Sequence, residues 1–248
     1  SNRPKQFLAL TGEKTLLQQT FERVKPLTAP ARVIILTNHE FVPLVREQLD
    51  EVPPENIIGE PLVRDTAAPV ALAAIIAQKR FGDCIMAVMP SDHDISPDEE
   101  LRRTIKAAAE GAARDSALYT IGINPTFPAT GYGYLEKGES LPSINGVKQF
   151  NLVRFKEKPD LKSAEDYLKT GRFFWNAGQF VWRSDVILGE IKKHLPLHYE
   201  LLAPLADFDG STQWEGELAR RFEQVPRISI DYGVMEKAKE VVSFTLDC

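Results

Sequence analysis

Cysteine is scarce in this sequence, with only Cys84 and Cys248 in 248 residues. Two thiols make neither a disulfide framework nor a paired zinc-ligand spacing. The four histidines, His39, His93, His194 and His198, fall at no metal-binding interval, so a zinc centre is not expected. Positive charge is also short. Against 35 Asp and Glu stand 30 Lys and Arg, a net charge of −5, which argues against the basic stripe of a nucleic-acid surface. No run approaches the about 20 apolar residues of a membrane span. No signal-peptide pattern precedes the fold, so the expectation is a cytoplasmic protein with neither nucleic-acid nor membrane partners. The G-x-x-x-x-G-K-[ST] phosphate loop, the G-x-S-x-G elbow and the H-E-x-x-H pair are all absent. P-loop NTPase, α/β-hydrolase and common metalloprotease chemistry go with them. If the chain handles an anion, it must do so with local cations.

What is present is ordinary for a globular protein, 43% hydrophobic and 26% charged. Strand-like and helix-like segments alternate, the pattern of a βαβ-rich domain. "ARVIILTN" and "ENIIGE" read as strands, and a helix follows the first from about Glu40 to Leu49. "DTAAPVALAAIIAQKRFG" reads as a helix with Asp65 or Thr66 as N-cap and Gly82 as stop. "CIMAVMP" is apolar throughout, which predicts a central strand buried on both faces, Cys84 included. Ser96 can cap the next helix, with Pro97 in its first position. "GYGYLEKGE" and "VKQFNLVRFKEKP" predict an antiparallel pair joined by the turn "ESLPSINGV". A short capped helix, an aromatic strand leading into a helix, and two further helical patterns complete the chain. No repeat or linker is visible. The reading is one domain over 1–248, a nucleotide-binding half to about residue 125 and a second half over 126–248 built around the ribbon. Both ends look cut, so a fragment is expected.

Five segments could carry chemistry. "PSDHDI" delivers Asp92, His93 and Asp94 to the end of a strand, the edge where open α/β sheets bind ligands. A carboxylate there suits Mg²⁺ beside a phosphate; equally, the three could solvate the loop before the Pro97 helix. Asp231 in "RISIDYGVMEKA" follows a β-branched run and could add a second carboxylate, or merely cap a helix. "RFKEKPD" sets Glu157 beside Lys158, a polar grip on a sugar phosphate or a solvated strand end. "TGYGYLE" supplies Gly131 and Gly133 around Tyr132, and "FFWNAGQFVW" embeds Asn176 and Gly178 among aromatics. An amide there needs a backbone or ligand partner.

In order, "RPKQFLAL", "EPLVRDTAAPV", "VMPSDHDI", "TGYGYLE", "FKEKPD", "FFWNAGQFVW" and "SIDYGVMEKA" resemble the sugar-nucleotide pyrophosphorylases, in particular the mannose-1-phosphate guanylyltransferases. They cover the chain from Arg3 to near Ala238. The resemblance implies a Rossmann-like α/β nucleotidyltransferase domain with a mixed, mainly parallel central sheet flanked by helices, and an antiparallel ribbon. It implies GTP and mannose 1-phosphate as substrates, GDP-mannose and pyrophosphate as products, and Mg²⁺ as cofactor. Asp92 and Asp231 would hold the metal, Lys5 the nucleotide phosphate and Lys158 the sugar phosphate. Glu157, Asn176 and Gly131, with Tyr132 and Gly178 beside them, would hold the mannose. Glu60, Arg64, Thr66, Pro90 and Ser91 would line the guanosine side. The family's G-G-x-G-T-R-L-W-P-L loop would fall just before Ser1, and without it GTP binding and turnover are expected to be weak. A further C-terminal region and a homodimer are also expected. Other base or sugar specificity, or a non-catalytic sugar-nucleotide-binding paralogue, are the alternatives.

Overall fold

The computed structural model describes residues 3–10 and 12–247. Cys248, expected to form no disulfide, lies outside them. The chain opens with helix α1 (Leu16–Val24), started by a capping box in which Thr15 and Gln18 satisfy each other's backbone N–H groups. Its buried Leu17 and Phe21 pack with Phe7, Val45, Leu49, Val52 and Ile57. Those residues belong to a small unit in which strands β1 (Ile35–Asn38) and β2 (Ile57–Glu60) pair in parallel beside helix α2 (Val42–Gln48).

Six strands form the larger sheet: β3 (Ile85–Val88), β4 (Leu118–Ile123), β5 (Tyr134–Ile144), β6 (Val147–Lys156), β7 (Phe173–Arg183) and β8 (Val241–Leu246). Their spatial order is β3-β7-β4-β8-β6-β5. The sheet is mixed, because β3, β4, β5 and β8 share a direction and β6 and β7 run against them. Side chains alternate across it. Leu118, Phe180 and Trp182 face helices α3 (Ala67–Phe81), α6 (Ser184–His194), α7 (Pro196–Leu202) and α8 (Trp214–Phe222). Tyr119, Ile121, Val181 and Phe244 face helix α4 (Asp98–Arg114). Helix α5 (Leu161–Thr170) packs Ala164 against Tyr134, Phe173 and Trp175. Helix on sheet on helix is the α/β arrangement the sequence predicted.

β7 is the hub. On one flank it pairs with β4, from Trp175 opposite Ile123 to Val181 opposite Tyr119. On the other it changes partners: β5 takes Phe173 to Trp175 and β3 takes Phe180 to Arg183. Residues 176–179 therefore have no strand beside them on that flank, and the sheet carries a notch between the end of β3 and the start of β5.

Four expectations need correction. β3 is an edge strand rather than a central one, with Ile85 40% exposed and Cys84 only half-buried; apolar composition does not reveal which strands have two neighbours. The ribbon turn is much shorter than "ESLPSINGV". β5 runs on to Ile144, and Asn145 (φ 51°) with Gly146 (φ 76°) makes the two-residue connection that matches strand twist. The β-branched run before Asp231 is not a strand, and Asp231 opens a π-helical turn, Asp231–Met235. Finally, neither Ser96 nor Thr66 caps through its side chain: Pro97 holds the N-cap position of α4 and Thr66 that of α3, both without a side-chain cap bond.

Candidate functional site

The notch in β7 gathers residues from most of the chain. Asn176 is held there from four directions. Its backbone N–H donates to the Gly133 carbonyl (2.8 Å). Its Oδ1 accepts from Gly178 N (3.1 Å) and lies 3.1 Å from the Thr120 hydroxyl. Its Nδ2 donates to Asp231 Oδ1 (3.1 Å). Gly178 reaches the required turn with φ 65°. The chain thus occupies the amide oxygen, and one of the two Nδ2 hydrogens fixes a carboxylate.

Asp231 sits half-buried beneath the notch. Burial, reinforced by the nearby Glu157 carboxylate, pushes its carboxyl up to about 6, against the opposing bond from Asn176. Glu157 follows β6 and pairs with Lys158, Nζ to Oε1 at 3.2 Å. That bond is the main reason the Lys158 ammonium is held above its usual range. Lys158 adopts φ 41°, a left-handed backbone that turns the chain sharply after the strand. At Gly133 a Cβ would lie 2.5 Å from Glu157 Oε2, so a larger residue would push that carboxylate aside. Gly131 has open space around it instead. Tyr132 meets the Trp175 ring edge-on at 5.2 Å.

The loop after β3 forms the opposite wall. Pro90 and His93 approach Gly178, each about 4 Å from where its Cβ would be. Asp92 carries a cation partner, the Lys5 ammonium at 2.8 Å, and His93 Nε2 lies 3.7 Å from its other oxygen. Burial holds the His93 imidazole below its usual range, and Lys5 and Arg23 oppose the pull of Asp92. A neutral imidazole packing the loop fits that environment. Behind the loop Arg23, 4% exposed, donates to Asp98 Oδ1 (2.9 Å) and to the His93 carbonyl (3.4 Å).

Glu60 ends β2, where burial pushes its carboxyl up to about 7. Arg64 and Thr66 spend their side chains on the protein itself. Arg64 donates to the carbonyls of Phe222 and Glu223, and the Thr66 hydroxyl accepts from Ile230 N. Two contributors escaped the sequence reading. Thr120 had a signal, a threonine in the apolar strand "ALYTIGI". Arg23 had none, because a buried arginine in "TFERV" looks like any helix-surface cation.

Among the described residues no three His, Cys, Asp or Glu side chains cluster as a closed metal cage. Asp92 on one wall and Asp231 on the other offer hard oxygen donors, the type suited to a divalent cation that takes its other ligands from water and phosphate.

The sequence model described as Nucleotidyl transferase matches residues 1–213. The chain is 42% identical over 240 residues to a mannose-1-phosphate guanylyltransferase of Sinorhizobium fredii, covering 94% of this chain and 45% of the relative. It is 38% identical to the xanthan biosynthesis protein XanB of Xanthomonas campestris, covering 98% and 51%. The chain thus spans about half the length of the curated relatives it matches. Among solved structures, one described as a mannose-1-phosphate geranyltransferase from Thermus thermophilus superposes with a TM-score of 0.85 at 33% identity, covering 98% of this chain and 67% of that one. Another, described as a mannose-6-phosphate isomerase from Helicobacter pylori, gives 0.81 at 27% identity, covering 99% and 93%.

Proposed function

Because the chain belongs to the nucleotidyl transferase family, we propose that it transfers GMP from GTP to mannose 1-phosphate, yielding GDP-mannose and pyrophosphate. The names of its guanylyltransferase relatives support the substrates. The observation that carries the reading is the β7 notch, where Asn176 fixes Asp231 with Glu157 and its partner Lys158 close by, and where the loop bearing the Asp92–Lys5 pair approaches Gly178. A phosphate oxygen of the sugar phosphate attacks the α-phosphorus, a new P–O bond forms, and the bond to the β-phosphate oxygen breaks with pyrophosphate leaving. Such chemistry asks the protein for alignment and charge neutralisation rather than a nucleophile.

Lys5 would oppose charge on the nucleotide phosphates and Lys158 on the sugar phosphate. Glu157, Asn176 and the Gly131–Gly133 backbone, with Tyr132 and Gly178 framing them, would hold the mannose hydroxyls. Glu60 at the end of β2 would take the guanine, whose adjacent N–H donors match a carboxylate, with Pro90 and Ser91 beside it. Arg64 and Thr66 belong to the loop closing that side. The nucleotide half extends to about residue 125, and the sugar-phosphate half follows from 126. Members of the family generally use a divalent metal. Asp92 and Asp231 would hold it here, with Mg²⁺ the choice that two carboxylates favour. When bound it neutralises phosphate charge and aligns the reacting oxygens. A cytoplasmic site of action and a homodimer belong to the same reading.

Pyrophosphate release by the full-length protein from GTP and mannose 1-phosphate tests it. GTP should be favoured over dTTP and UTP. A preference for a non-guanine base, or for another sugar phosphate, would refute the assignment.

A further inference from the structure

The start of α3 and the approach to Asp231 complete each other's hydrogen bonds across the length of the chain. Thr66 occupies the N-cap position of α3, yet its hydroxyl makes no bond to its own helix. That hydroxyl accepts from the backbone N–H of Ile230 at 2.9 Å. The exchange is reciprocal. Ala67, the first residue of α3, donates its N–H to the Ile228 carbonyl at 3.1 Å, and Ile228 N–H donates to the Arg64 carbonyl at 3.4 Å. Helix N-termini leave such N–H groups without intrahelical partners, and here a distant segment supplies one. Arg64 extends the link, because its Nε donates to the Phe222 carbonyl (3.0 Å) and its Nη2 to the Glu223 carbonyl (2.6 Å). Phe222 is the last residue of α8 and Glu223 its C-cap, at a helix end where carbonyls lack the regular i+4 donor. Asp65 holds the loop in shape at φ 62°, its Oδ1 accepting from Thr66 N at 2.9 Å.

Residues 226–229 have no regular secondary structure of their own. Ile230 is 1% exposed, so its N–H has no access to water if the Thr66 oxygen is removed. The next residue is Asp231. Its main chain is therefore tied from the α3 side, and its carboxylate from the β7 side by Asn176.

We infer that residues 64–67 form a bracket that sets the position of Asp231, with Thr66 and Arg64 as positioning residues acting through backbone atoms of 222–230. The catalytic consequence rests on the transferase reading; the bracket itself does not. The Asn176 bond holds the Asp231 side chain and the Glu236 N–H holds its carbonyl (2.9 Å), while the bracket fixes the backbone that enters it; a displacement near 1 Å at such a site costs on the order of 10²-fold in rate.

The test uses the full-length protein with Thr66→Val, Thr66→Ser and Asp231→Asn. Valine keeps the shape and removes the acceptor, whereas serine keeps the acceptor. Without nucleotide, sugar or metal, amide hydrogen exchange at Ile230 should be at least about 10-fold faster in Thr66→Val and near wild type in Thr66→Ser. In turnover, Thr66→Val should lower kcat about 10- to 100-fold with KM for mannose 1-phosphate within about threefold. Serine should restore most of that loss. Unchanged exchange in a folded Thr66→Val protein would overturn the bracket, as would Thr66→Ser failing like Thr66→Val. Asp231→Asn separates the two ideas: normal turnover there refutes the transferase role of Asp231, while exchange still decides the bracket.

Discussion

Asp92 stands half-exposed at the end of β3 with the Lys5 ammonium 2.8 Å away, whereas Asp231 is sunk beside Glu157 and Asn176 with its carboxyl pushed up to about 6. The two share one proposed duty in opposite settings. On the exposed wall a lysine keeps the charge comfortable. On the buried wall the charge is disfavoured, and the fold tolerates it through Asn176 and the bracket at 64–67. The contrast shows that a site carboxylate can be held ready by pairing or by confinement, and that these leave different thermodynamic signatures.

Several substitutions can break or sharpen that contrast. The largest effect is on turnover: Asp92→Asn and Asp231→Asn should each lower kcat by about 10²-fold or more in a pyrophosphate-release assay. Equal loss at both walls would support a shared role, and loss at only one would dissolve the pairing.

Stability should then separate them in sign. At pH 8, without metal, Asp231→Asn should raise unfolding free energy by about 1–3 kcal/mol, because a disfavoured charge is removed while the acceptor for Asn176 remains. Asp92→Asn should lower it by at most about 1 kcal/mol, the worth of an exposed ion pair. The pH course follows. The folded chain holds the Asp231 proton more tightly than the unfolded one, so this residue makes stability fall as pH rises from 3.8 to about 6, and adds no further slope above. Urea melts across that window should show the slope in wild type and its loss in Asp231→Asn.

Gly133→Ala probes the buried wall from the other side. With only 2.5 Å between the new Cβ and Glu157 Oε2, the carboxylate must move, and a destabilisation of about 1–3 kcal/mol should appear in thermal melts. Gly131→Ala, with open space around it, should shift melting by less than about 0.5 kcal/mol. The smallest effect on the site is furthest from the notch. Thr15→Ala removes a local cap from α1 and should cost about 1 kcal/mol in stability without changing turnover.

Caps also mark where the sequence could be read and where it could not. The capping box at Thr15 and Gln18 and the Asp160 cap of α5 lie within four residues of what they satisfy; local pattern can carry such caps, though of these two helices only α5 is expected to be capped. The helix, strand and sheet alternation was legible for the same reason, and the ordered motifs brought out the family. Thr66 reads as another local cap, but its partner is Ile230, and no spacing rule reaches that far. Strand neighbours were hidden likewise: "CIMAVMP" is apolar enough for the middle of a sheet, yet β3 has only β7 beside it among the described residues. For the site, residue types were legible at Asp92, Glu157, Lys158 and Asn176. Which of them touch was not, because contact follows from how β7 exchanges β5 for β3.

That exchange of partners bears on the order of events in folding. The notch needs β3, β5 and β7 all in place, then the arrival of Asp231 from beyond α8 and of Lys5 from before α1. Contacts this distant in sequence close late, after the local helices and the β5–β6 hairpin. On the proposed reading, ligand recognition at the notch would therefore be an all-or-none property of the assembled chain. A cut in any of the loops that feed the notch should abolish binding before it abolishes helix content.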